Sequence, residues 1–366
     1  MENQEKFEVR TDLAVEAKEM YVNQNENQNQ KQEIEGVTIK EDKIGNIGLT
    51  NVDVDESGAQ HIGKNPGSYR TIYSEAIKKQ DTKLQEETAK VVAKQIIELL
   101  DKNNVPADAA GLIVGLGNRN VTPDALGPLA IEKVLVTNHL FVHEPQYVQE
   151  GYRKVATIVP GVMGVTGIET SDIIKGVIEK YKPGFVIAID ALASRSIERV
   201  NATIQLSDAG IHPGSGVGNK RKELSQATLG IPVFAIGVPT VVDAVTITSD
   251  AIDYVLKHIG KEWKEKDKPS KSLTPAGMSF GNRQLSDEDL PSIEKREKIF
   301  GMIGSLTDEE KRSLMQEVLT PLGHNLMVTP KEVDGYIEDM AHLIAEAINA
   351  AMHKNVNINN FAQYTR

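Results

Sequence analysis

The chain has 366 residues, of which 40% are hydrophobic, 25% charged and 5% aromatic, with no cysteine and a formal net charge of -11. The missing cysteine removes disulfides, thiolate metal sites and a Cys nucleophile, and the acidic balance argues against broad nucleic-acid binding through phosphate neutralisation. No apolar run approaches the ~20 residues needed to cross a bilayer, and the polar start Met1–Phe7 lacks the apolar stretch of a secretory signal, so the expectation is a soluble protein kept inside the cell.

The first 60 or so residues are irregular, and the polar tract Asn23–Gln32 reads as a mobile surface loop because it has nothing to bury. Short strand-like runs follow at 36–40 and 47–52. Thr82–Lys102 carries apolar residues at helical spacing, from Leu84 through Val91, Val92, Ile96, Leu99 and Leu100, and Asn103, Asn104 and Pro106 end it. An α/β heart comes next. Gly111–Gly117, Gly184–Asp190, Val200–Leu206 and Pro232–Val238 read as buried strands. Helices are predicted over 124–138, 173–181 and 243–259. Apolar strands alternating with helices predict an α/β fold with a mainly parallel central sheet covered by helices on both faces. Residues 261–300 turn lysine- and proline-rich and read as a surface excursion, with helices at 308–319 and 330–353 closing the chain.

Chemistry in open parallel sheets gathers beyond the C-terminal ends of strands. Asp124 follows one buried strand and Asp190 ends another. Two carboxylates there, with little water around them, could hold a water between them and attack a carbonyl, one as base and one as acid. A blander reading stands beside this one, in which each aspartate caps the start of a following helix. Gly115 and Gly117 suggest a dinucleotide loop, but Asn120 stands where the third glycine belongs and Pro123 interrupts the approach to the helix. His212 opens a second glycine-rich loop, His212–Gly218, which is either a flexible connection or a set of backbone N–H donors for an anion. The histidines show no metal-ligand spacing, and Lys220–Lys222 reads as a solvated loop.

Five segments together resemble one family. They are Val9–Ala17 (VRTDLAVEA), Gly115–Pro128 (GLGNRNVTPDALGP), Ala188–Arg195 (AIDALASR), Asn201–Asn219 ending in HPGSGVGN, and Gly237–Ala244 (GVPTVVDA). They resemble the germination proteases of spore-forming bacteria over nearly the whole chain. That resemblance implies an endopeptidase made as a zymogen, shortened by self-cleavage, then degrading small acid-soluble spore proteins during germination. It also implies a homotetramer in the spore core, with a fold similar to the hydrogenase-maturation proteases. The two essential aspartates of the family fall on Asp124 and Asp190. The chemistry implied is of an atypical aspartic type, although the enzymes have also been classed with metallopeptidases. The expectation is water attack with no metal and no other cofactor.

Family substrates are cut after Glu, before a hydrophobic residue followed by Ala. Thr11–Glu16 imitates that site with Asp12 in the cleaved position, so self-cleavage is expected between Asp12 and Leu13. Residues 1–12 would then be a propeptide and 13–366 a single peptidase domain. An ordinary helix start at Thr11 is the alternative for that segment. Arg119 and Arg195 flank the aspartates and could bind an acidic substrate side chain through a bidentate guanidinium, with His212 a third candidate. Direct contact with nucleic acid or membrane is not expected. Two rival readings are a metal-dependent protease of the hydrogenase-maturation type and a non-catalytic nucleotide-binding module.

Overall fold

The structure, a computed structural model, describes residues 11–24, 34–214, 221–265, 286–319 and 326–356. The chain divides into two compact units, one of residues 10–242 with 329–366 and one built on residues 243–328.

The larger unit begins with α1 (Ala14–Gln24), β1 (Val37–Ile44), β2 (Ile47–Val54), α2 (Glu56–Ile62), β3 (Gly67–Tyr73) and α3 (Thr82–Lys102). It continues with β4 (Gly111–Gly115), α4 (Leu126–Lys133), α5 (Asn138–His143), β5 (Val155–Ile158), α6 (Met163–Thr166), α7 (Thr170–Tyr181), β6 (Phe185–Ser194) and β7 (Thr203–Ser207). α8 (Gln226–Leu229) and β8 (Val233–Asp243) follow. The smaller unit holds α9 (Ala244–Glu265), α10 (Ile293–Phe300), α11 (Met302–Ser305), α12 (Asp308–Leu319) and β9 (Met327–Val328), and α13 (Val333–Met352) returns to the larger one.

The strands of the larger unit lie in the order β1-β2-β3-β7-β8-β6-β4-β5. β5, β4, β6 and β8 are parallel to one another, whereas β1, β2, β3, β7 and β8 pair antiparallel. The sheet is therefore mixed, not mainly parallel. In the antiparallel half only β1 and β2 form a hairpin, and β3, whose alternation of Tyr69 and Ile72 with polar residues is weak as a strand signal, pairs with the distant β7. β7 is the strand foreseen at 200–206, whose direction no local pattern reveals.

Helices cover both faces. Ile187, Ile189, Ile204, Leu206 and Phe234 pack with α3, α4 and α13, while Val186, Ala188, Leu192, Val233 and Ala235 face Ile174 of α7 and the buried Leu13. This split follows from the two-residue side-chain period of a strand. On the same side as Leu13, Ala14 and Ala17 of α1 pack against Val52, Val54 and Tyr69 of the antiparallel half.

The helix expected over 124–138 is broken. Residues 122–124 form a 3-10 turn, α4 ends at Lys133, and Val134 is extended. The polar tract 23–32 contributes its first two residues to the end of α1, and residues 25–33 lie outside the described residues, as do 215–220 of the second glycine-rich loop. The expected excursion falls in the smaller unit, with 266–285 outside the described residues. Within that unit, Lys311 is buried and pairs with Asp253 at 2.7 Å, and Gly260 lets α9 pass the carbonyl of Asp289, which a Cβ would meet at 1.9 Å. Among the described residues no helix is long and apolar enough to cross a membrane.

Candidate active site

Asp190 does not end its strand. β6 runs on to Ser194, and Asp190 is paired in register with Gly237 of β8. What ends is the neighbour. β4 stops at Gly115 beside Ile189, whose carbonyl accepts one further bond from Leu116 N–H at 2.8 Å. Asp190 thus stands one residue past the end of β4, in the position that neighbouring strand leaves. No helix starts at Ala191, so the capping alternative is removed. The carboxylate instead accepts the N–H of Ala191 at 3.0 Å.

Asp124 reaches the same region from the loop after β4. Its Oδ2 accepts the N–H of Asn118 at 2.7 Å, tying the loop back on itself, and α4 starts from Ala125 with no side-chain cap. Capping is therefore not its role either. Two glycines let the pieces meet. Gly117 has φ +108° and a Cβ there would meet the Asp124 carbonyl oxygen at 2.0 Å. A Cβ on Gly127 would lie 2.3 Å from Leu116 O and 2.7 Å from Ile189 O, so α4 can settle directly on the end of β4 and on Ile189 in the middle of β6. Gly115, where a Cβ would meet Gly127 O at 2.4 Å, and Gly117, the pair that suggested a dinucleotide loop, thus serve close approach.

The third acidic group is Asp12. Its N–H donates to Ala193 O at 3.2 Å, and Ala193 N–H donates to its Oδ2 at 2.9 Å. This contact falls where the β6–β8 register shifts between Leu192 and Ala193, and such irregularities re-aim backbone groups. Leu13 is fully buried and its N–H donates to Thr11 Oγ1 at 3.1 Å. Gln205 of β7 holds the backbone on both sides of Leu13: Nε2 donates to Asp12 O at 3.2 Å, and Oε1 accepts from Ala14 N–H at 2.7 Å. Lys64 Nζ donates to Thr11 O at 2.8 Å. Glu16, 2% exposed, accepts the N–H groups of Arg195 and Ser196 at 2.7 and 3.1 Å, receives the Thr11 hydroxyl, and pairs with Arg199 at 3.4 Å.

Burial pushes the Asp190 carboxyl well above the usual carboxylate range, and the negative charges of Asp124 and then Asp12 push it the same way. Burial also raises Asp124, opposed by the Asn118 N–H. Lys64 is lowered by burial, against the pull of Asp12 and Glu16. Three carboxyl groups thus gather round a segment held at its backbone.

A stability prediction follows from the raised Asp190. A carboxyl whose folded pKa exceeds its unfolded value of about 3.9 destabilises the fold as pH rises from that unfolded value through the folded one. Asp190→Asn, which can still accept from Ala191, escapes that loss. In urea melts of chains verified intact by mass, it should be more stable than wild type at pH 7 to 8 by on the order of 1–3 kcal/mol, with the gap closing toward pH 4. A gap of opposite sign, or one independent of pH, would show that Asp190 carries no raised pKa.

The other expected site residues are placed as follows. Arg119 pairs with Glu132 at 2.5 Å, both half-exposed. His212 faces Glu223 at 3.7 Å. Arg195 contributes its backbone N–H to Glu16. Glu16, Lys64, Arg199 and Gln205 had no role in the sequence reading. Glu16 lay within the quoted segment Thr11–Glu16, and Gln205 is a large polar residue inside the strand ATIQL. Lys222 of the basic cluster pairs with Asp172 at 3.1 Å.

Comparison with known proteins now bears on this arrangement. A family model described as germination protease matches residues 14–365. The germination protease of Oceanobacillus iheyensis is 66% identical over 365 residues, covering 100% of each chain. That of Priestia megaterium is 59% identical over 360 residues, covering 98% of this chain and 97% of its own. That of Halalkalibacterium halodurans is 59% identical over 367 residues, covering 99% and 98%. With its full length matched in this way, the chain belongs to the germination protease family, the peptidases of spore germination.

Proposed function

We propose that this germination protease is a precursor that shortens itself between Asp12 and Leu13, and that Asp124 and Asp190 carry out the cleavage. One observation supports this above the others. The chain is held on either side of the Asp12–Leu13 bond, by Ala193 at the Asp12 N–H and carboxylate and by Gln205 at Asp12 O and Ala14 N–H, and the carboxylate of Asp12 lies near enough to Asp190 to raise its proton affinity.

Of the two aspartates, Asp190 is the one driven more strongly toward its protonated form, which makes it the acid and leaves Asp124 as the base. Asp124 takes a proton from water as the water oxygen bonds to the Asp12 carbonyl carbon. The bond from that carbon to Leu13 N then breaks, and the Asp190 proton goes to the nitrogen. The products are the Asp12 carboxylate and a new Leu13 amine. As pH rises through the folded pKa of Asp190 this proton is lost, so self-cleavage falls on the alkaline side. While residues 11–14 occupy this position, a protein substrate cannot enter it, which keeps the precursor from cutting other chains.

The shortened enzyme acts on small acid-soluble spore proteins after Glu or Asp, before a hydrophobic residue followed by Ala. Leu13 and Ala14 occupy fully buried positions that suit those two residue types. To test this, the full chain is allowed to shorten and is then given a small acid-soluble spore protein, and the ends of the first peptides are read by mass. Cuts after Glu, with a rate unchanged by a chelator, are expected. Cuts at unrelated bonds would end the specificity claim. Activity lost with chelator and restored by a divalent metal would replace the aspartic mechanism with a metal-dependent one.

A further inference from the structure

Gln205 is buried, 8% exposed, in a strand whose neighbours Ile204 and Leu206 go into the apolar core. Its side chain therefore lies on the opposite face with Thr203 and Ser207. A primary amide buried there is costly unless its donor and acceptor sides are both used. They are used on one segment. The NH₂ group donates to Asp12 O and the carbonyl accepts from Ala14 N–H. The two partners also fix which way the amide faces, since the flipped form would set N–H against N–H and oxygen against oxygen.

The register adds a second observation. Gln205 pairs with Gly237, and Gly237 pairs with Asp190. All three stand in one row across β7, β8 and β6, with their side-chain positions on the same face. Gln205 and Asp190 are then two strand spacings apart, roughly 10 Å between backbones, with a glycine between them.

We propose that Gln205 is a catalytic residue of the self-cleavage, the donor that stabilises the oxyanion formed on Asp12. This rests on the reading that Asp12–Leu13 is the bond cut. As water adds to the carbonyl carbon, the oxygen of Asp12 takes up negative charge, and the Nε2–H already aimed at it strengthens its bond. The present 3.2 Å is long for a ground-state hydrogen bond and leaves room to tighten, so the donor contributes more to the transition state than to the resting segment. The Ala14 bond to Oε1 holds the following peptide, Leu13–Ala14, in place while this happens.

The test follows the full chain by intact mass at a series of pH values, with amide hydrogen exchange at Ala14. Gln205→Ala should slow shortening about 10²–10³-fold. Gln205→Glu keeps the acceptor for Ala14 but, ionised, has no donor. It should therefore be slow near neutral pH with Ala14 still protected, and its rate relative to wild type should climb as acid protonates the new carboxyl. Should Gln205→Ala fail to fold, the Gln205→Glu profile decides alone. If wild type cuts at Asp12–Leu13 and Gln205→Glu keeps pace with it at every pH, Gln205 is not the donor. The same holds if protection of Ala14 falls in step with the rate, since Gln205 is then merely a clamp. If wild type cuts at another bond, this proposal falls together with the reading beneath it.

Discussion

Asp190→Asn and Asp124→Asn should each keep their full mass under conditions in which the wild-type chain loses residues 1–12. Each substitution removes one proton-transfer step, for which about 10²–10⁴-fold in rate is the usual loss. The amide replacements keep the fold. An Asn at 190 can still accept from Ala191 N–H, and an Asn at 124 can still accept from Asn118 N–H. What disappears is the charge and the exchangeable proton. The two variants should also fail together, because a coupled pair works as a unit and a double variant should lose little beyond either single one. Time courses by intact mass check this. Shortening at the wild-type rate in either variant would remove that aspartate from the reaction.

Glu16→Ala should be the most damaging single change outside the aspartates. The buried carboxylate holds two backbone N–H groups of the segment after β6 and one guanidinium, and it receives the Thr11 hydroxyl. Its removal leaves the two backbone N–H groups without that acceptor, which costs about 1–3 kcal/mol per buried donor left unmatched, while Arg199 keeps its second partner, Glu19, at 2.7 Å. The loss is local, because Glu16 ties α1 to the loop after β6. Hydrogen exchange across Leu13–Tyr21 should speed up before the rest of the larger unit opens. Self-cleavage should slow as well, since Asp12 is then held with less precision. The two N–H groups use different carboxylate oxygens, so Glu16→Gln keeps only one of these bonds and should lose less than Glu16→Ala on each count. Unchanged exchange in Glu16→Ala would mean that α1 is held by its apolar contacts alone.

The parts of the fold legible in the sequence were those with long, unambiguous patterns. The runs 111–115 of β4, 185–189 of β6 and 233–238 of β8 are apolar and buried on both faces, and α3, α12 and α13 show their helical spacing or end signals. β3 and β5 were missed, the first because its apolar residues alternate loosely and the second because it is four residues long at a sheet edge. The parallel expectation failed for the half of the sheet whose direction is decided by pairing partners far away in sequence.

The site shows the same division. Asp124 and Asp190 were singled out from their strand-end positions and then from motifs, yet the reason Asp190 is open to chemistry lies in the shortness of β4, which no inspection of β6 reveals. Glu16 lay within a quoted motif, but its partners Arg195, Ser196 and Arg199 are some 180 positions distant. Gln205 lies in a strand that the sequence shows, but its role needed the register that puts it in a row with Gly237 and Asp190.

The most direct test of the account is intact-mass analysis of the purified wild-type chain, alone and in mildly acidic buffer, over about a hundredfold range of protein concentration. The structure holds the Asp12–Leu13 peptide against Ala193 and Gln205 of its own chain. A single new species beginning at Leu13 is therefore predicted, appearing with the same first-order rate constant at every concentration. A new terminus elsewhere, or a rate constant that falls on dilution, would contradict the account, because the bond gripped within the chain would not be the one its own aspartates cut.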